Sequence, residues 1–380
     1  MKEVPLIEGL RGYLALWVIF DHLLGVCGYS FERLTGIMKF FRAGWYAVDI
    51  FIIISGFVIF YLLDNKQETY VKFVIRRFFR LWPLFIVLFA ISIPFSLIYS
   101  ANSIEFSSIF PFSQVGDGLL KERIDSWWGN IFEHILLHLT MLHGIVPNSL
   151  ITDSPGAFLG PAWSISLEWQ FYIIAPFVYA FLRKDKKWAI PIISLFCMLF
   201  FFIGKQIDDI EFGAFLPMHI DFFFIGGVSY YFYKSFCSVF FKIIFFPISL
   251  VLASFLLLNS DFNFKLIPYL TWLVFFSLLL DFSNPERQNY ISVIAGVFSN
   301  KIIVYLGKIS YSIYLSHLLV IIIIQYIILN FFPVISQKLH LIILSVFSIF
   351  FTVFFSYFTH KYIELFYIRK GKLFIDKIKS

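Results

Sequence analysis

Of the 380 residues, 60% are hydrophobic and only 14% charged, and the mean hydropathy is +0.84. Soluble domains carry about 25% charged residues, so this composition excludes a water-soluble globular enzyme and indicates a polytopic membrane protein. The net charge of +6 is concentrated in short connections, where it orients spans. No nucleic-acid partner is expected.

Apolar runs near the ~20 residues that cross a bilayer occur at 9–27, 45–63, 81–100, 163–182, 188–204, 214–233, 243–260, 266–282, 303–330 and 341–366. They predict an all-α bundle of about ten transmembrane helices. The first run reads IEGLRGYLALWVIFDHLLG, with Glu3 and Glu8 ahead of it and no small-residue cleavage site behind it. It is therefore expected to stay in the membrane. Arg11 and His22 stand eleven residues apart, close to three turns, so both project from one face ~16 Å apart along the axis. An ionisable group inside a span is costly and is by default a functional candidate. Neutral imidazole is suited to act as a general base. The bland account makes Arg11 a positive-inside anchor and His22 a hydrogen-bonded interior residue. Asp21 adjoins His22 but points ~100° away, so it is not automatically the orienting partner.

In the second run, WYAVDIFIIISGFVIF, Asp49 requires a partner such as His22 or an arginine, as part of a site or as a plain interhelical ion pair. Ser55-Gly56 reads as a small pair allowing close helix contact. The third run opens with RRFFRLWPLF, where Arg77 and Arg80 share a face and Pro83 is expected in the first helical turn. Such a cluster serves as a topology signal, and it also suits a phosphate-rich ligand. Residues 101–162 form the longest predicted extramembrane region. Within it, 131–146 are apolar but short and read as a re-entrant or interfacial helix. His134 and His138 lack the carboxylate of a zinc-protease helix, and no metal is expected.

Glu168 interrupts GPAWSISLEWQFYIIAPF and calls for a histidine or arginine partner. His317 in GKISYSIYLSHLLV either lines the same cavity or bonds a backbone carbonyl, the second being the simpler reading. Cys27, Cys197 and Cys237 lack metal-ligand spacing and read as packing residues. The basic groups at 66–80 and 183–187 and in the tail place both termini in the cytoplasm. A single transmembrane domain spans 1–366, followed by a short basic tail at 367–380.

Together, Arg11 and His22 at R-x10-H spacing, VDIFIIISGF (48–57), RRFFRLWP (76–83), WSISLEWQFY (163–172) and GKISYSIYLSH (307–317) resemble acyltransferase family 3. These are multispanning bacterial membrane proteins that O-acylate surface glycans. The resemblance implies an inner-membrane O-acyltransferase moving an acyl group, most readily acetyl, from cytoplasmic acyl-CoA to a hydroxyl of a glycan or its lipid-linked precursor. No tightly bound cofactor is implied. It assigns His22 the role of general base or transient acyl acceptor. It makes Arg11, Arg77 and Arg80 important for the acyl donor or for the active structure, with Asp49 and Glu168 in support. Some relatives append a periplasmic hydrolase-like domain; this chain resembles the stand-alone type. The alternatives are a transporter, whose two-fold internal repeats are not evident here, and a non-catalytic glycan-export component.

Overall fold

A computed structural model describes residues 4–66, 68–110, 119–184, 209–235, 266–282, 292–332 and 336–378, with short pieces between 195 and 207. Every regular element among them is helical, as expected where lipid leaves backbone amides no partner but their own chain. Six helices are long and apolar enough to cross a membrane: Pro5–Val26, Trp45–Asn65, Tyr70–Ile109, Gly160–Arg183, Ser310–Phe331 and Gln337–Lys377. The run expected at 243–260 lies outside the described residues, and most of 188–204 does too.

In chain order the helices are α1 (Pro5–Val26), α2 (Gly36–Phe41), α3 (Trp45–Asn65), α4 (Tyr70–Ile109), α5 (Leu119–Gly129), α6 (Ile131–Thr140) and α7 (Trp163–Lys184). They continue as α8 (Ile220–Ser235), α9 (Ile267–Phe282), α10 (Ser292–Ser299), α11 (Lys301–Lys308), α12 (Ser310–Phe331), α13 (Gln337–Thr359) and α14 (Leu365–Lys377). The described chain divides into two compact units. One holds 1–16, 45–66 and 221–310, and the other 17–44, 67–220 and 311–380.

The first unit is held by helices in backbone contact. A Cβ on Gly56 would meet Phe223 O at 2.3 Å, and one on Gly226 would meet Ile53 O at 2.0 Å. Ser55-Gly56 is thus the close-approach pair its composition suggested. The same holds where α1 crosses α10 and α11: Cβ atoms on Gly9 and Gly307 would each lie 1.7 Å from a carbonyl, of Phe298 and Glu8 respectively. Lipid is as apolar as the side chains, so association of spans rests on such tight packing. Gly226→Val is expected to lower the Tm of detergent-purified protein by about 5 °C or more, since backbone atoms cannot step aside. Gly296→Val, with nothing within 4 Å, is the control and should stay near wild type.

The second unit is organised on α4, which runs unbroken for 40 residues with Pro83 and Pro94 inside it. Pro83 is therefore mid-helix and not in the first turn. The preceding residues 70–82 contain neither Gly nor Pro, and their lysine and arginines favour a helix, so α4 extends well before the apolar run begins. Beside the proline, Tyr311 donates a hydrogen bond to Leu81 O at 2.7 Å. The run expected at 303–330 is two helices, α11 and α12, broken at Ile309. Tight seating of Gly307 on α1 accompanies this break. The basic tail is not extended chain. It forms α14, joined to α13 by a π-helical turn, His360–Glu364, and Gly371 seats against Phe79 of α4. Residues 131–146 are α-helical to Thr140, Met141 turns left-handed with φ 58°, and a 3₁₀ turn follows at His143–Ile145.

Candidate active site

His22, near the end of α1, is half-buried, and its Nδ1 lies 3.0 Å from Val18 O, one turn back. A second histidine meets it: His317 Nε2 lies 3.3 Å from the same Nδ1. The two ring centroids are 4.8 Å apart at 67°. His317 is fully buried, and its own Nδ1 is 2.7 Å from Tyr314 O. Carbonyl oxygens only accept, so each Nδ1 carries the hydrogen. His317 Nε2 is then an acceptor, and the lone pair of His22 is on Nε2. His317 thus makes the backbone bond that its sequence suggested and also joins His22. The bonds of the His22 ring go to these two groups.

Asp21 is turned away from that ring and paired with Arg42. Gly44 leaves the carboxylate room, since a Cβ there would lie 2.4 Å from Asp21 Cβ. Arg42 was not foreseen in this role, because it follows α2, outside any apolar run.

Near the basic end of α4 the two arginines of the RRFFR motif differ. Arg80 Nη1 is 2.8 Å from Glu364 Oε1. Glu364 is fully buried and also takes His360 Nδ1 at 2.8 Å and Ser312 Oγ at 3.1 Å. Arg77 is buried, its Nε has no hydrogen-bond partner, and it makes no ion pair among the described residues. Its guanidinium stands 5.8 Å from the ring centroids of both Phe73 and Tyr172. Tyr172 donates to Glu168 Oε2 at 2.7 Å. Glu168 thereby steadies a ring that flanks Arg77. A buried guanidinium cradled by aromatic faces, with no carboxylate on it, is suited to an anionic ligand.

Arg11 is on α1 with an ion pair to Glu8 at 3.3 Å. Asp49 is on α3, in the unit that also holds Asp221 and Tyr269, and Asp221 acts on it electrostatically. Tyr269 donates to Asp221 at 2.5 Å.

His134, His138 and His143 form a buried histidine cluster in the 131–145 region. The rings of His138 and His143 lie parallel, 4.1 Å apart, and His143 Nε2 donates to Ala162 O at 3.0 Å. Burial pushes His143 down to about 4, so it is neutral at physiological pH. Among the described residues no group of three or more histidine, cysteine or carboxylate side chains could hold a metal ion.

Outside the spans, Arg123 clamps Asp153 at 2.6 Å and Glu211 at 3.1 Å. A hydrogen bond shared with Asp153, together with burial, pushes Glu211 up to about 7. The contact is strongest while Glu211 is protonated. Stability from it is fully present below about pH 4.5 and is lost as pH rises through about 7. Glu211→Gln should flatten that dependence, so that thermal melts of the variant change less than wild type between pH 5 and 8.

The family model described as an acyltransferase domain, Acyl_transf_3, matches residues 4–361. A protein of Staphylococcus aureus (strain COL), provisionally named an O-acetyltransferase, is 26% identical over 359 residues, 84% of this chain and 51% of that protein. The chain thus spans about half the length of the staphylococcal relatives it matches. Acyltransferase MdmB of Streptomyces mycarofaciens is 28% identical over 187 residues, 48% of this chain and 41% of its own. A provisionally named acetyltransferase of Acidianus two-tailed virus is 24% identical over 328 residues, covering 83% of this chain and 82% of that protein. No solved structure matches. With its apolar helices and a match across nearly its whole length, the chain is a membrane protein that belongs to acyltransferase family 3.

Proposed function

We propose that the chain is an O-acyltransferase of the cytoplasmic membrane that moves an acyl group, acetyl in the first instance, from cytoplasmic acyl-CoA to a hydroxyl of a surface glycan or its lipid-linked precursor. The observation that carries this reading is His22, whose Nδ1–H is engaged by Val18 and His317 while Nε2 keeps its lone pair. Such a nitrogen can take the proton of a sugar hydroxyl as that oxygen attacks the thioester carbonyl. The C–S bond then breaks and the CoA thiolate leaves, to be protonated in turn. The same nitrogen can instead attack first, giving an acyl-imidazole and free CoA, which the hydroxyl then resolves.

Arg77 fits the donor in charge and chemistry, because CoA carries phosphates that a guanidinium binds through charge-assisted pairs. Glu168 supports it through Tyr172. The family resemblance also gives Arg11 and Arg80 to the donor or to the active structure and Asp49 to a supporting role; Arg80, held by Glu364, fits the structural alternative. The acyltransferase assignments of the relatives agree with this chemistry.

The test is transfer of label from acetyl-CoA by membranes carrying the chain. Base-labile label is expected in the glycolipid or polysaccharide fraction, dependent on both donor and chain. Label that stays in acetyl-CoA when acceptor-bearing membranes are present would overturn the proposal.

A further inference from the structure

The first and twelfth helices meet at a pair of imidazoles, and the partner of His22 is 295 residues away in sequence. We propose that His317 is a positioning residue for acyl transfer: it holds the His22 ring so that Nε2 faces the reacting atoms. The inference rests on the proposed role of His22 and extends it to a second histidine.

Two acceptors engage the His22 Nδ1–H, and they do different things. Val18 O belongs to the same helix one turn back. It determines which nitrogen carries the hydrogen but cannot stop the ring from swinging sideways on its own helix. His317 comes from α12 and fixes the ring laterally, edge-on at 67°. It can do so because it is immobile itself. It has no exposed surface, and its Nδ1–H is spent on Tyr314 O at 2.7 Å. That bond leaves Nε2 as the only nitrogen able to accept, so the chain of donors runs one way: His22 Nδ1–H to His317 Nε2, and His317 Nδ1–H to Tyr314 O. This direction agrees with the tautomer that Val18 O sets, which leaves the lone pair of His22 on Nε2. When Nε2 gains a proton or an acyl group, the positive charge that develops on the ring is met by His317 Nε2 through the same hydrogen bond.

A nearby acceptor of this kind is usually a carboxylate. Here it is a neutral ring, so no second charge is buried in the span, where its cost would be high. Misplacing a catalytic atom by an ångström costs about 10²-fold in rate, which sets the size of the effect.

The experiment uses the full chain, purified in detergent, with acetyl-CoA as donor. His317→Leu keeps the volume and removes both hydrogen bonds. Its kcat should fall about 10²-fold, with KM for acetyl-CoA within twofold of wild type. His317→Gln offers an amide oxygen where Nε2 stood and should recover at least a tenth of the wild-type rate. A structural role alone would not order the two variants this way at equal Tm. The second readout is diethylpyrocarbonate labelling of His22, followed by peptide mass analysis. His22 should react more slowly in His317→Leu than in wild type, with His317→Gln between them. If both variants keep full kcat, or lose activity equally at unchanged His22 labelling, the proposal is wrong. His22→Ala separates the two layers. If it too stays active, the catalytic role proposed for His22 has failed; if it alone is dead, only the role of His317 has.

Discussion

Replacing His22 with alanine should abolish acyl transfer without unfolding the protein. General base assistance contributes typically about 10²–10⁴-fold, and loss of the His22 Nε2 lone pair removes it, as it would remove a nucleophile. We expect kcat to fall at least ~10³-fold by the upper part of that range. The Tm should change little. His22 is half-buried, and its removal empties little volume and deprives only His317 of a donor, leaving Nε2 there as an acceptor. The measurement is transfer of labelled acetyl to the glycan fraction, with Tm followed in parallel. An undiminished ester signal from well-expressed His22→Ala would remove His22 from the chemistry. Rapid mixing of wild type with labelled donor and no acceptor then separates the two routes. Acid-quenched label on the protein supports an acyl-imidazole, and its absence at full turnover supports direct attack.

The second large effect separates two arginines that look alike in sequence. Arg77→Leu should raise KM for acetyl-CoA about 10- to 100-fold, the cost of one or two charge-assisted hydrogen bonds to phosphate. The same change should leave Tm unchanged or higher, because it removes a buried cation that has no carboxylate partner among the described residues. Arg80→Leu should do the reverse. It strips a fully buried glutamate of its arginine, and breaking a buried pair from one side is strongly destabilising. Glu364 keeps His360 and Ser312, and Arg80 is partly exposed, so the loss is read as a lowered Tm with KM near wild type. If Arg77→Leu destabilises and leaves KM alone, the assignment of Arg77 to the donor is lost.

Much of this was legible in the amino-acid order alone. Hydropathy is local, so runs of apolar residues predicted the helices at 9–27, 45–63, 163–182 and 266–282, and α1, α3, α7 and α9 occupy those places. Helical spacing alone put Arg11 and His22 on one element. The motifs at 48–57, 76–83, 163–172 and 307–317 marked the family, which the match over 4–361 then showed.

What the order of residues did not decide was who pairs with whom. Asp49 and Glu168 were natural partners for an imidazole by charge, yet the ring of His22 bonds Val18 and a histidine from α12. Glu364, hidden in the last long helix, claims Arg80 and leaves Arg77 open. Pro83 sits inside a helix it was expected to begin, and 303–330 breaks at Ile309. For the pairings the reason is the same. A polar group inside a membrane protein must find its partner across a helix interface, and which faces meet is set by close packing at a few glycines. That packing joins residues hundreds of positions apart, and no local pattern encodes it.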